Sequence, residues 1–158
     1  MRVRPATLKD LDGMMRIEEL CFGDERFDRG TVRAYIGRRD AFAMIAVEGG
    51  VIAGAAMAAV SKRLDCGRIG SVAVLDSFRG KGLGRKLLEA CEKEFRRRGV
   101  GRFMLEVAVD NQDAVRLYEN SGYKVIGVAE GYYSNGKDAY VMEKSFGMTG
   151  RRVKVRPS

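Results

Sequence analysis

The chain has 158 residues, 46% hydrophobic and 32% charged, with a net charge of +8. That size suits one domain with a substantial core, and the balance excludes a disordered chain. There is no histidine, which excludes a Ser-His-Asp triad, a Cys-His pair and any histidine metal site; a general base must be a carboxylate, a lysine, a tyrosine or water.

Three widely spread cysteines, Cys21, Cys66 and Cys91, read as reduced thiols in a cytoplasmic protein rather than a disulfide framework or a metal cluster. No apolar run approaches the length of a membrane span, and the N-terminus lacks the apolar core of a signal peptide. Neither a metal nor a membrane is expected.

In chain order, Met1 to Pro5 predicts a short strand. Thr7 with Asp10 three residues on forms a capping box, and Leu8, Leu11, Met14, Met15, Ile17 and Leu20 recur at helical spacing. A helix over 8–20 follows. Cys21 to Gly30 is acidic and turn-like, and a second helix is predicted over Thr31 to Gly37. Phe42 to Glu48 and Val51 to Val60 read as strands joined by Gly49-Gly50. Ser61 to Arg68 reads as a polar connection, and Ile69 to Leu75 as the next strand.

Arg79-Gly80-Lys81-Gly82-Leu83-Gly84 then opens a long helical pattern. Its apolar stripe is Leu83, Leu87, Leu88, Cys91 and Phe95, and Gly99 stops it. Strand, glycine-rich turn and helix together define an anion site: the first N–H groups of a helix lack internal partners, and the dipole is positive there. Arg79, Lys81, Arg85 and Lys86 add charge. A Walker loop is excluded because Gly82, not Ser or Thr, follows Lys81. The dinucleotide fingerprint fails on spacing and on its offset from the strand. By itself the turn indicates a phosphate or pyrophosphate ligand.

Phe103 to Val109 is the next strand, parallel to the one before because a helix crosses between them. Asn111 caps a helix over Ala114 to Ser121. Tyr123 to Val128 and Tyr140 to Ser145 are two final strands, joined through the turn-rich Tyr133 to Lys137. Beyond Phe146 the pattern stops. Gly147 to Ser158 reads as a flexible basic tail after a domain over 1–146, and its charge suits ribosome or nucleic-acid proximity.

The order Arg79–Gly84, Leu105-Glu106-Val107, Asn111 and Leu117-Tyr118-Glu119-Asn120-Ser121-Gly122-Tyr123 resembles the GCN5-related N-acetyltransferases. Within them it is most similar to the group that acetylates protein N-termini, which includes the bacterial ribosomal-protein-alanine and archaeal enzymes. The resemblance spans Met1 to Phe146 and is carried by the motifs in order rather than by any one of them. It implies an α/β fold: a twisted, mostly antiparallel sheet of six to seven strands with a splayed parallel pair at its centre, flanked by about four helices.

The resemblance also implies acetyl-coenzyme A as cosubstrate. Its pyrophosphate would lie on Arg79, Gly80, Lys81, Gly82, Leu83, Gly84 and Arg85. Val72, Ala73 and Val74 would hold the pantetheine arm beside a bulge, with Asn111, Ala114 and Tyr118 completing the cofactor site. Glu106 matches a general base and Tyr118 a general acid, with direct transfer to a protein or peptide α-amine and the Val74 amide facing the developing oxyanion. Glu25, Phe27, Tyr132 and Tyr133 match the acceptor-binding wall. Monomer and homodimer both fit. The rival readings are an acetyltransferase for lysine or a small amine such as a polyamine, and a basic nucleic-acid- or ribosome-associated binding module.

Overall fold

The computed structural model describes residues 1–145. Phe146 and the basic tail lie outside the described residues. Seven strands form one mixed sheet, β1 (Arg2–Pro5), β2 (Ala41–Glu48), β3 (Val51–Ser61), β4 (Cys66–Val74), β5 (Arg102–Ala108), β6 (Lys124–Ala129) and β7 (Ala139–Ser145), in the order β1-β2-β3-β4-β5-β7-β6. Four helices flank it: α1 (Leu11–Phe22), α2 (Arg29–Gly37), α3 (Leu83–Arg97) and α4 (Gln112–Asn120). All neighbouring strands are antiparallel except β4 and β5. The α/β architecture expected from the motif order is therefore present.

The central strands bury both faces, which is why β2 shows no polar alternation. Phe42, Met44 and Ala46 join a core with Leu87, Phe95 and Phe103 on the α3 side. Ala43 and Ile45, pointing the other way, join Leu11, Met14, Ile17 and Val32 on the α1–α2 side. Phe95 anchors the first core, edge-on to Phe42 at 5.1 Å and stacked on Phe103 at 5.4 Å. Full burial of such a ring contributes about 1.5–3 kcal/mol.

Local signals set most of the boundaries. The Thr7–Asp10 capping box is formed, but Leu8–Asp10 is a 3₁₀ turn and the α-helix starts at Leu11. α2 starts at Arg29 rather than Thr31, and Asp28 caps it, accepting the Thr31 N–H at 2.7 Å. The larger difference concerns β4. It starts at Cys66, so the polar connection shrinks to the Lys62–Asp65 turn of a long hairpin and Arg68 lies inside the sheet.

At the end of α3, Glu94 accepts hydrogen bonds from Arg97 (2.6 and 2.8 Å) and Arg98 (2.8 Å). These donors, Arg97 foremost, hold the Glu94 carboxyl down to about 2 against an ordinary 4.5. A depressed folded-state value stabilises the fold above the unfolded value and stops doing so as pH falls through the folded one. Glu94→Gln should therefore cost about 1 kcal/mol near pH 7, discounted for solvent screening. Paired thermal melts at pH 7 and pH 2.5 check this: the gap between mutant and wild type narrows at the lower pH.

Candidate active site

The site is made by a parting of two strands. β4 and β5 pair only at Gly67↔Phe103, Arg68↔Met104 and Ile69↔Leu105. Beyond that point β4 bulges: its register against β3 jumps from Ala58↔Ile69 to Met57↔Ser71, leaving Gly70 as the extra residue. A Cβ on Gly70 would collide with the Tyr35 hydroxyl, so glycine allows α2 to close over the bulge. β5 stays paired with β7 through Ala108, and a gap opens between β4 and β5.

The register also fixes which backbone groups face that gap. The Leu75 N–H donates to Ala53 O, so antiparallel alternation turns the N–H and C=O of Val72 and Val74 away from β3, into the gap. The Val74 carbonyl accepts from Arg79 Nε at 3.1 Å and faces Cys21 Sγ at 3.6 Å.

The gap continues into a groove of about 480 Å³ along Val72–Val74, Arg79, Gly80 and the first residues of α3, with Asn111 and Ala114 opposite. Gly82 caps α3 in a left-handed conformation (φ +76°) and supplies no side-chain cap to the helix. Among the described residues, no atom beyond the immediate chain neighbours lies within 4 Å of where a Cβ on Gly80 or Gly82 would stand. Exposed helix amides, open space beside them and the Arg79 and Arg85 guanidiniums in the lining suit a pyrophosphate. Gly84 approaches Leu117, whose Cδ2 would lie 3.2 Å from an added Cβ, so glycine lets α4 pack on the start of α3. Lys81 departs from expectation: it is not among the groove's lining residues, and its ammonium lies 3.5 Å from Glu48 and over the Phe78 ring. Asn111 lines the groove, while its Oδ1 caps α4 by accepting the Ala114 N–H at 3.2 Å.

At the opposite end the gap meets a wider cavity of about 760 Å³. Glu25, Phe27, Tyr132 and Tyr133 all line it, together with Arg63, Arg68 and Ser134. Between groove and cavity lies a throat lined by Val72, Glu106, Tyr118 and Tyr133. Glu106 lies inside β5, one residue beyond the last pairing with β4 at Leu105.

Glu106 is largely buried and is ion-paired to Arg68, with the Tyr132 hydroxyl 3.4 Å from the same oxygen. Burial opposes the charge on Arg68, but Glu106 and Tyr132 outweigh it and raise its pKa. Tyr118 is 7% exposed, and burial pushes its pKa up. It packs edge-on against Tyr123 at 6.1 Å. The Tyr123 hydroxyl donates to buried Glu92 at 2.8 Å, and Lys144 pairs with the other Glu92 oxygen at 2.9 Å. This satisfied network fixes the platform under Tyr118. Tyr133 stands at the throat with its pKa pushed up to about 12 by burial.

Two further carboxylate arrangements shape the walls. Ser134 donates to Glu25 at 2.5 Å, joining the loop after α1 to the β6–β7 connection. Glu18, on the buried face of α1, accepts the Phe27 N–H at 2.8 Å and holds Phe27 against Tyr35, ring centroids 5.8 Å apart. Burial raises its pKa. Sequence reasoning missed Arg68, Tyr35, Ser134 and Glu18. Only Glu18 carried a local signal, a carboxylate on the apolar stripe seven residues after Leu11.

Residues 11–123 match the family model described as the acetyltransferase (GNAT) family. The chain is 30% identical over 152 residues to an N-alpha-acetyltransferase of Sulfurisphaera tokodaii, covering 89% of this chain and 90% of that one. To an N-alpha-acetyltransferase of Saccharolobus solfataricus it is 40% identical over 79 residues, about half of each chain (49% and 47%). The crystal structure of the ribosomal-protein-S18-alanine N-acetyltransferase of Escherichia coli superposes with a TM-score of 0.83 at 27% identity, covering 98% of this chain and 99% of that one. The chain belongs to the acetyltransferase (GNAT) family. It is an acetyl-coenzyme A-dependent N-acetyltransferase.

Proposed function

We propose that this enzyme acetylates the N-terminal α-amino group of a protein, with acetyl-coenzyme A in the α3 groove and the acceptor in the cavity beyond the throat. The observation that carries the reading is the throat between the two spaces, with Glu106 and Tyr118 both in its wall. The relatives named above, whose descriptions specify α-amine or ribosomal-protein-alanine acetylation, support the same acceptor.

Glu106 takes a proton from the incoming ammonium, directly or through one water. The neutral nitrogen then attacks the thioester carbonyl carbon; a C–N bond forms and the C–S bond breaks. The Val74 N–H, facing the gap, donates to the carbonyl oxygen as charge develops there. Tyr118 gives its proton to the departing sulfur. A tyrosine phenol carries its proton at neutral pH, as an acid requires, and burial raises its pKa further. An α-amine of pKa about 8 is roughly 10% neutral at pH 7, against well under 0.1% for a lysine of pKa about 10.4. One modest base therefore suffices for the α-amine.

Matched peptides with free and blocked α-amines test the acceptor. Acetylation of the free form and loss of all turnover on blocking is the expected result; equal turnover of both forms would place the acceptor on lysine. Tyr118→Phe removes the acid but keeps the ring on Tyr123. It should lower kcat about 10²-fold or more, with the acetyl-coenzyme A Kd changing less than about threefold.

A further inference from the structure

The acceptor cavity carries two guanidiniums that the transfer chemistry does not use. Arg68 is paired with Glu106, and its side chain remains 42% exposed, facing the acceptor cavity. Arg63 lines the same cavity from the Lys62–Asp65 turn and makes no ion pair among the described residues. The turn is tethered: Arg102 Nη1 donates to Leu64 O at 2.9 Å, while Arg102 Nε pairs with Glu143 at 2.5 Å. The cations line one wall, from the β3–β4 hairpin. Glu25 lies on another wall, held by Ser134.

We infer that the acceptor bears an acidic side chain at its first or second residue, which Arg68 and Arg63 receive. This rests on the α-amine reading above. Three observations support it. First, Arg68 touches the carboxylate that serves as base, so a side chain paired with Arg68 belongs to a residue at or next to the reacting amine, since one extended residue spans about 3.3–3.6 Å. Second, Arg68 and Glu106 neutralise each other in the free enzyme. A carboxylate from the acceptor offers Arg68 a replacement partner, and Glu106 is then released to accept the ammonium proton. A neutral acceptor offers no such exchange, and a Lys or Arg side chain there would meet two cations. Third, a net charge of +8 attracts acidic peptides over distance and disfavours basic ones.

Charge-assisted recognition of this kind should give at least about tenfold discrimination. The experiment measures kcat/KM, with the acetyl group located by tandem mass spectrometry, on matched peptides carrying Glu, Ala or Lys at residue one or two. The wild type should prefer Glu over Ala by about tenfold or more at one of the two positions, with Lys below Ala. In Arg68→Gln the Glu/Ala ratio should fall to within about threefold, and in Arg68→Glu the preference should pass to Lys. Arg63→Gln, an exposed change, should lower the ratio less and guards against a misfolded Arg68 variant. Raising salt to 0.5 M should compress the wild-type ratio. Acetylated α-amines with no preference for Glu, or a preference that survives Arg68→Gln in folded protein, would overturn this inference alone. Absence of α-amine acetylation on every peptide would instead overturn the acceptor assignment beneath it.

Discussion

Glu106→Gln lowers kcat at neutral pH by about 10²–10⁴-fold, the usual contribution of a positioned general base. The substitution is nearly isosteric, so the throat keeps its shape. It removes the group that can accept a proton and also the charge that pairs with Arg68. The groove proposed for the cosubstrate is lined by Val72–Val74 and the start of α3, not by Glu106. Acetyl-coenzyme A affinity should therefore change less than about threefold. Steady-state kinetics with isothermal titration of coenzyme A separates these two effects. Turnover equal to wild type would mean that the base lies elsewhere, with Glu25 the next carboxylate on the acceptor wall. A weakened Kd together with intact kcat would mean that Glu106 serves the cosubstrate.

Gly82→Asp acts on the other half of the site and should weaken acetyl-coenzyme A binding by about 10²-fold or more. Gly82 adopts φ +76°, where any other residue except Asn or Asp is markedly strained. Asp tolerates this backbone better than most, so the fold should lose only about 1 kcal/mol. Its carboxylate enters the open space beside the first amides of α3, where it can cap the helix and repel a pyrophosphate. One substitution thus trades a ligand for a side-chain cap. Thermal melts with and without coenzyme A report both effects: a modest fall in the free protein's Tm, and loss of the ligand-induced rise. Retention of that rise would displace the cosubstrate from the groove.

Local patterns revealed much of this site because they encode backbone geometry. Gly80, Gly82 and Gly84 could be read as an uncapped helix start because alternating glycines beside cations have few other uses. Asn111 could be read as a cap from its place before a helical run. Glu106 and Tyr118 were legible through the order of motifs, and the throat contains them both. What escaped depends on chain segments meeting at a distance. Arg68 reaches Glu106 across 38 residues of sequence, through a parallel register that no local pattern encodes. The start of its strand also reads as a connection, since Cys66-Gly67-Arg68 carries no β-branched residue. Ser134 meets Glu25 across 109 residues. Proximity in sequence groups Lys81 with the cations of the glycine-rich turn, yet its ammonium sits beside Glu48 and over the Phe78 ring.

Glu92 shows the same division. On α3 it could pass for one more charge of a solvated face, but it is 4% exposed and holds Tyr123 and Lys144 beneath Tyr118. A buried carboxylate is tolerable only because both oxygens have partners. The throat thus rests on a polar cluster in the core as well as on the parted strands.

The most direct measurement is tandem mass spectrometry of the product formed from acetyl-coenzyme A and a peptide that carries both a free α-amine and an internal lysine. Acetyl on the α-amine alone, lost when Glu106 is replaced by Gln, is the expected result. Acetyl confined to the lysine side chain would contradict the assignment of the acceptor.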